Sequence, residues 1–595
     1  MKHTAWAKAV FAAVFLSVFY VYLTTAYPAY KADDSPETAA CAYTLGIAHS
    51  PGYPLFSMLA KTASLVPAGS VVFRINILSA FVAALISVFA FFLIRSWLGR
   101  ILKKEAGIIS AAACAPLAAF SYVLWNQALG AKGGIYVLSL FFMLVILGAA
   151  ASMLRSYTPR MLYLAAFGAG LGFANHWPGV SIAVFTLCCA LFFIRKEISG
   201  KNILTALVFL GIGLTPYIYL PVRAAAGAVI NWGNPVDLES FLWVVLRKGY
   251  DTGAPLLFVS GNQFFNLKQF ILSNTPYVWP LAAAGAAALY FHSRRAFFLY
   301  GGFFLLFTAS VVFYNPKNYT STETGALWLF SAILLPSAFM LSLFVTAGIA
   351  WIASAAGRRA PHLFVAVLLC AAAAVTLKNF GRNDSSRDFI YYDYGSNVIK
   401  TITPGSAFLP DGDHDFFPLY YARYCTGGPD NVKFFPVNFL VAPWGAEQFK
   451  DEFGTAVMVK GNIEVNTASA VERMSVKHDK VYRSLYSPVF DQRLPQYRPP
   501  CPEGLLFSIK KPCALSAAVF ETYSYRGIHS AYAQRDENID LFSRYPFSMY
   551  GAAYSLITQG RREEARQILR KSLAFRGIKN DAAATAGLKA AGEGI

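Results

Sequence analysis

The sequence predicts a polytopic α-helical membrane protein that ends in a polar, extracytoplasmic α/β and helical region. Three observations carry this. Of 595 residues, 56% are hydrophobic and only 14% are charged, against roughly a quarter charged in a soluble chain. Apolar runs about as long as a membrane is thick recur along the first two thirds of the chain. The short connections between them alternate in charge, basic and then acidic.

The runs fall at 9–27, 72–94, 107–127, 134–153, 161–175, 178–194, 202–221, 276–292, 296–314, 326–352 and 361–377, which predicts about 11 spans. The fifth and sixth are short. The first follows Lys2 and Lys8 but is long for a signal peptide, and is read as a retained helix. Alternate connections hold Arg95, Arg100, Lys103 and Lys104, then Arg155 and Arg160, Arg195, Lys196 and Lys201, Arg294 and Arg295, and Arg358 and Arg359. The opposite set holds Asp33, Asp34, Glu37, Asp237, Glu239, Asp251 and Glu323. The positive-inside rule then puts the N-terminus in the cytoplasm and everything after about residue 379 outside it. A bacterial cytoplasmic membrane fits the short loops, and an endoplasmic reticulum would give the same topology.

The net charge of +19 is dispersed over these connections, so it reads as a topology signal and excludes nucleic acid as a partner. The eight cysteines show no structural zinc spacing. Cys501 and Cys513 could pair if the tail is outside the cytoplasm. The expected division is a membrane domain over 1–378, with outward loops at 28–71 and 222–275. An α/β domain over 379–515 follows, then a helical tail over 516–595 of tetratricopeptide-like pattern, which would pack on its neighbour or meet a protein partner.

The first outward loop concentrates chemistry. It reads DDSPETAACAYTLGIAHSPGYPLFSMLAK over 33–61. Asp34 and Glu37 sit near the start of a helix expected over 36–48, with Ser35 as cap and Pro36 in its first turn. His49 follows, just before the rigid Pro51-Gly52-Tyr53-Pro54 turn. A capping aspartate and a packed histidine alone would be structural. Two acids, a histidine and a rigid turn together at a membrane surface point to a site.

These residues carry a resemblance. D-S-x-E followed by A-Y-x-L-G-I-A-H-x-P-G-Y-P-L resembles the signature of a multi-pass family long labelled a domain of unknown function, which includes a protein O-mannosyltransferase. That family looks like a branch of the GT-C glycosyltransferases. Further similarity lies at Arg74, Asn76 and Ser79, at Trp125, Gln127 and Ala128, at Asn175-His176-Trp177, and over 219–250 and 385–424. The resemblance implies a GT-C-like fold and an inverting transfer of a sugar, such as mannose, from a polyprenyl-phosphate donor. Asp34 would stand as catalytic base and Glu37 as the second acid. Two departures bear on the acceptor or donor sugar rather than the reaction class. Ser50 replaces a proline, and Ala131-Lys132-Gly133-Gly134-Ile135-Tyr136 lacks an acid.

Such a reaction needs a carboxylate near the acceptor hydroxyl and cations near the leaving phosphate. Candidates for donor-phosphate or substrate contact are His49, His176, Arg223, Arg247 and Lys248, joined by Tyr53, Arg74 and Trp232. Each has a plainer role. Arg223 could snorkel from a helix end, and His176 could be a satisfied interfacial ring. Leu242, Trp243, Val245, Leu246, Arg247 and Lys248 could lie on acidic membrane lipids, and Trp232 could anchor at the interface.

No cofactor or metal is required, and divalent-cation dependence stays open. Asp411, Asp413, His414 and Asp415 lack the EF-hand spacing and read as a solvated loop between a strand at 405–410 and a helix at 415–424. The expected partners are a polyprenyl-phosphate sugar, an extracytoplasmic protein or glycan acceptor and membrane lipids. The alternatives are a lipid-carrier or solute transporter and a non-catalytic envelope assembly factor. A transporter should carry ionisable groups in mid-helix and paired interrupted helices. Here the carboxylates lie in loops and no internal repeat is visible.

Overall fold

The computed structural model describes residues 2–32, 34–98, 111–112, 115–250, 278–313, 332–357, 361–428, 431–457, 462–497, 501–509 and 517–575. Asp33, Cys513, residues 251–275 of the second outward loop, 326–331 of the tenth run and 576–595 of the tail lie outside the described residues.

The chain divides into two compact units. One comprises Met1–Tyr27 and Leu45–Ser386, the other Pro28–Thr44 and Arg387–Ile595.

The first unit is helical. It contains α1 (Lys2–Thr25), and after the excursion through α2 (Ser35–Thr44) of the second unit, α3 (Pro54–Ser64), α4 (Val71–Leu98), α5 (Tyr122–Ala128), α6 (Ala131–Met153) and α7 (Pro159–Phe193). Then come α8 (Gly200–Leu214), α9 (Tyr219–Ala225), α10 (Leu238–Val245), α11 (Val278–His292), α12 (Arg294–Phe313), α13 (Leu335–Gly357) and α14 (Pro361–Asn383). Among the described residues, 8 helical segments are long and apolar enough to cross a membrane. The protein is therefore an integral membrane protein of mostly helical build.

The helix count departs from the 11 expected runs in identifiable places. The runs at 161–175 and 178–194 are two helices that meet within α7 and count there as one segment; they join at His176, whose backbone leaves helical geometry (φ −156, ψ 89) ahead of Pro178. The break is sharp: a Cβ on Gly172 would lie 2.9 Å from a Val180 methyl, although eight residues of straight helix span about 12 Å. The run at 276–292 yields the 15-residue α11, shorter than a full span. The described part of 107–127 is interrupted at 120–121, ahead of α5. Glycine lets neighbours close up. A Cβ on Gly348 of α13 would lie 1.9 Å from the Leu281 carbonyl of α11, and one on Gly285 1.9 Å from the Phe344 carbonyl.

The second unit holds a small sheet of order β2-β1-β3-β5-β4. Its strands are β1 (Ala407–Leu409), β2 (Lys433–Phe434), β3 (Val481–Ser484), β4 (Cys501–Glu503) and β5 (Leu506–Ser508). β1 pairs in parallel with β2 and β3, and β5 runs antiparallel to β3 and β4. The helices are α15 (Ile390–Thr401), α16 (Asp413–Cys425), α17 (Pro443–Phe453), α18 (Ile463–Lys477), α19 (Ala518–Glu521), α20 (Asp536–Thr558) and α21 (Arg562–Ser572). Gly560 turns at φ +79 between the last two, and Ala552, Leu556, Ala565 and Leu569 are buried.

Candidate functional site

The first unit gathers its polar side chains around one turn. Gly52 (φ +87) and Tyr53 (φ +44) take left-handed backbone, and the Gly52 amide donates to the His49 carbonyl at 2.9 Å. Pro54 then opens α3. The turn places the His49 and Tyr53 side chains together, Tyr53 Oη lying 3.0 Å from His49 Nε2.

Lys132 completes the group. Its ammonium lies 3.1 Å from His49 Nε2 and donates to the Tyr53 hydroxyl at 3.2 Å. It sits 4.5 Å from the centre of the Tyr53 ring. The residue is only 4% exposed. Nε2 serves the ammonium as an acceptor when the imidazole proton is on Nδ1. The following glycines explain the position of the lysine. A Cβ on Gly134 would lie 2.2 Å from Ser79 Oγ and 2.8 Å from the Phe56 ring, so the start of α6 fits against α3 and α4 only without a side chain there.

The break in α7 brings in His176. Its ring stacks 5.9 Å from Tyr53 and stands edge-on to Tyr136 at 5.7 Å. Trp232 meets His49 edge-on at 5.9 Å. The segment holding Trp232 is laid along residues 45–47. The Ile47 amide donates to the Ile230 carbonyl at 2.7 Å and the Trp232 amide to the Ile47 carbonyl at 3.2 Å. Ile47, Leu220, Ala224 and Val244 form the apolar support beneath.

Arg247 follows α10, whose start is fixed by a capping box between Asp237 and Ser240. The Trp177 indole donates to the Val245 carbonyl at 2.7 Å, tying this segment to the α7 break. Arg247 has a positive φ of 59, its guanidinium lies 4.7 Å from the Tyr250 ring, and its buried Nε has no hydrogen-bond partner. Arg247, Lys132 and His49 all lie in the electrostatic neighbourhood of His176.

Three further candidates have surroundings of their own. Lys248 is exposed. Arg223 donates from Nε to the Leu45 carbonyl at 2.7 Å. Arg74 spends its three nitrogens on the carbonyls of Ser64, Ala68 and Gly69, closing the end of α3.

Asp34 and Glu37 belong to the second unit. The predicted helix over 36–48 is shorter, Ser35–Thr44, and Leu45 turns left-handed directly after it (φ 54). Asp34 is half-buried, its carbonyl accepting from the Thr38 amide at 2.8 Å, and Glu37 is 0% exposed. α2 packs on α16. Tyr30 sits among Tyr391, Tyr392 and Tyr421, with ring centres 5.1–5.5 Å apart. Gly395 makes room for it, since a Cβ there would lie 2.6 Å from Tyr30 Oη and 2.4 Å from Pro418 Cβ. Burial, with smaller contributions that include Glu37, holds the Tyr420 hydroxyl well above the usual phenol range.

The acidic run at 411–415 is divided among separate partners. Asp415 accepts from Tyr394 at 2.5 Å and from Arg544 at 3.2 Å. Asp411 accepts from Ser487 Oγ, and His414 Nδ1 lies 3.2 Å from Tyr391 Oη. Among the described residues, no three His, Cys, Asp or Glu side chains converge as metal ligands would.

Lys132 and Tyr136 are the residues that the chemical reading of the sequence passed over. The available signal was a lysine opening an otherwise apolar run and followed by two glycines.

The fold is similar to that of GT-C membrane glycosyltransferases. Over 86% of this chain and 99% of the other, it is similar to the crystal structure of ArnT from Cupriavidus metallidurans bound to undecaprenyl phosphate, with a TM-score of 0.50 at 11% identity. Residues 34–200 match the model of the protein O-mannosyl-transferase TMEM260 N-terminal domain. The chain is a homologue of proteins of that name. It is 25% identical to the mouse (Mus musculus) protein over 462 residues, covering 73% of this chain and 63% of the mouse protein. It is 29% identical to the Dictyostelium discoideum protein over 259 residues, 40% of this chain and 30% of the other. The chain thus spans less than two thirds of the length of either relative.

Proposed function

We propose that the protein is a membrane glycosyltransferase that moves a hexose, such as mannose, from a polyprenyl-phosphate donor to a hydroxyl of an extracytoplasmic protein or envelope glycan. The observation that carries the reading is the convergence of Lys132, His49 and Tyr53 within 3.2 Å of one another in a buried position. Arg247 and His176 stand near them. These groups suit a phosphate leaving group, whose developing charge cations and hydroxyl donors stabilise. The names of the relatives and the undecaprenyl phosphate bound by ArnT support the same chemistry.

Asp34 is the base in this reading. Half-buried at the start of α2, it takes the acceptor's proton as the hydroxyl attacks the anomeric carbon. The anomeric C–O bond to phosphate breaks in the same displacement, and the polyprenyl phosphate leaves with the electron pair. Glu37 supports the start of α2 from a buried position. The membrane is crossed with the N-terminus cytoplasmic, so that this chemistry faces outward.

The test is glycan and glycoprotein profiling by mass spectrometry in cells lacking the gene, rescued with wild type or Asp34→Asn at equal membrane levels. Wild type is expected to restore a hexose-sized modification and Asp34→Asn is not. Full rescue by Asp34→Asn removes it as base. No glycan change on deletion favours the carrier or assembly readings.

A further inference from the structure

A polar cavity lies at the other end of α6 from Lys132. The helix has 23 residues, or roughly 35 Å at 1.5 Å per residue, which exceeds the hydrocarbon thickness of a bilayer. The cavity therefore sits at the opposite membrane boundary. Its volume is about 190 Å³, and its polar and aromatic lining comes from Ser96, Trp97, Arg155, Ser293, Arg295 and Tyr300. That is room for roughly six waters at liquid density, more than a phosphate group needs.

Among the described residues that line it, the charges are of one sign. Arg155 and Arg295 supply two permanent charges, and one Arg295 nitrogen is spent on the Leu154 carbonyl. Ser96 and Ser293 add hydroxyls. The Tyr300 hydroxyl, in a side chain 1% exposed, is buried with no hydrogen-bond partner. An unmet buried hydroxyl is costly, so such a group is expected to have a ligand. Trp97 stands edge-on to Tyr300 at 5.3 Å and gives the cavity an apolar wall. Two arginines, hydroxyl donors and an indole wall at a membrane boundary match the head group of an anionic lipid.

We propose that this cavity recognises a phosphate group, supplied by an anionic phospholipid of the leaflet opposite the Lys132 cluster. The assignment is independent of the transferase reading and stands or falls separately. The site clamps the end of α6 to the α11–α12 junction through the lipid.

The test uses the full chain, purified and stripped of lipid. It is titrated with short-chain phosphatidylglycerol, short-chain phosphatidylcholine or inorganic phosphate, followed by thermal unfolding and native mass spectrometry. Phosphatidylglycerol is expected to raise the unfolding temperature and leave a retained adduct, and phosphatidylcholine is not. Arg155→Gln with Arg295→Gln weakens that binding roughly tenfold or more. Tyr300→Phe weakens it about fivefold. Arg294→Gln removes the same charge from a side chain placed over Tyr290, and leaves binding unchanged. Equal stabilisation by inorganic phosphate at equal concentration overturns the lipid source. Phosphatidylglycerol binding that survives both the double variant and Tyr300→Phe, or falls equally in Arg294→Gln, overturns the site.

Discussion

In the unit built from residues 28–44 and 387–595, buried carboxylates meet arginines. Asp415 lies 3.2 Å from Arg544, Asp388 3.3 Å from Arg535 and Asp393 2.6 Å from Arg526. In the membrane-helix unit, the polar cluster instead brings a lysine, an arginine and two imidazoles into one neighbourhood. Opposite charges brought together fix a particular packing. Buried polar side chains gathered at one turn mark a candidate place for acting on a ligand. In the proposed reading, the polar cluster of the membrane-helix unit meets the donor phosphate, while the ion pairs of the other unit hold the structure around α2 and its acids.

Six substitutions sharpen or break this contrast. Asp34→Asn has the largest expected effect, a loss of roughly 10²–10⁴-fold in transfer with an unchanged unfolding temperature, read by radiolabelled sugar transfer in purified membranes. A loss of fold instead would make Asp34 structural. Arg544→Met leaves Asp415 buried without its cation and should cost about 3–5 kcal/mol, measured by chemical unfolding. A neutral result would mean that the second unit does not depend on its ion pairs.

Lys132→Met should lower donor-dependent release of polyprenyl phosphate by roughly 10²–10³-fold. Lys248→Met, at an exposed residue, should change it less than twofold. Equal effects would remove the distinction between the buried cluster and the loop surface. Gly395→Ala drives a methyl into Pro418 and Tyr30, and should destabilise the fold by about 1–3 kcal/mol, visible in thermal unfolding.

The smallest effect concerns Asp411. Burial raises its carboxyl above the ordinary value, against the opposing hydrogen bond from Ser487. The folded state then holds a proton that the unfolded chain releases. Its contribution is most favourable below the unfolded carboxylate value and is lost as pH rises through the folded one. Asp411→Asn should therefore unfold at a higher temperature than wild type at pH 7, with the gap closing below the usual carboxylate range. A gap that widens in acid would reverse the sign.

Several candidate residues, in both units, were legible one at a time. Asp34, Glu37, His49 and Tyr53 announce themselves by their spacing around a proline-glycine turn. Arg74 shows the limit of that method, because an arginine at a helix start looks the same whether it meets a ligand or, as here, three backbone carbonyls. Lys132 shows the converse. It lies 83 residues from His49, and no local pattern links them.

What the sequence by itself determined is the solvent of each segment. Runs of apolar residues too long and too uncharged for water commit the first unit to a membrane, because transferring that surface dominates every local preference. Turn chemistry at Gly52, Tyr53 and Pro54 was likewise local and readable. Only the tertiary structure decided that residues 28–44 join a unit otherwise formed after residue 386. It also decided that His49, Lys132, His176 and Trp232 share one neighbourhood. Those contacts depend on which helix faces touch and on where glycines let backbones approach. They are sums of many small packing terms between residues far apart in the chain, and hydrophobic patterning says only that a face is buried, not against what.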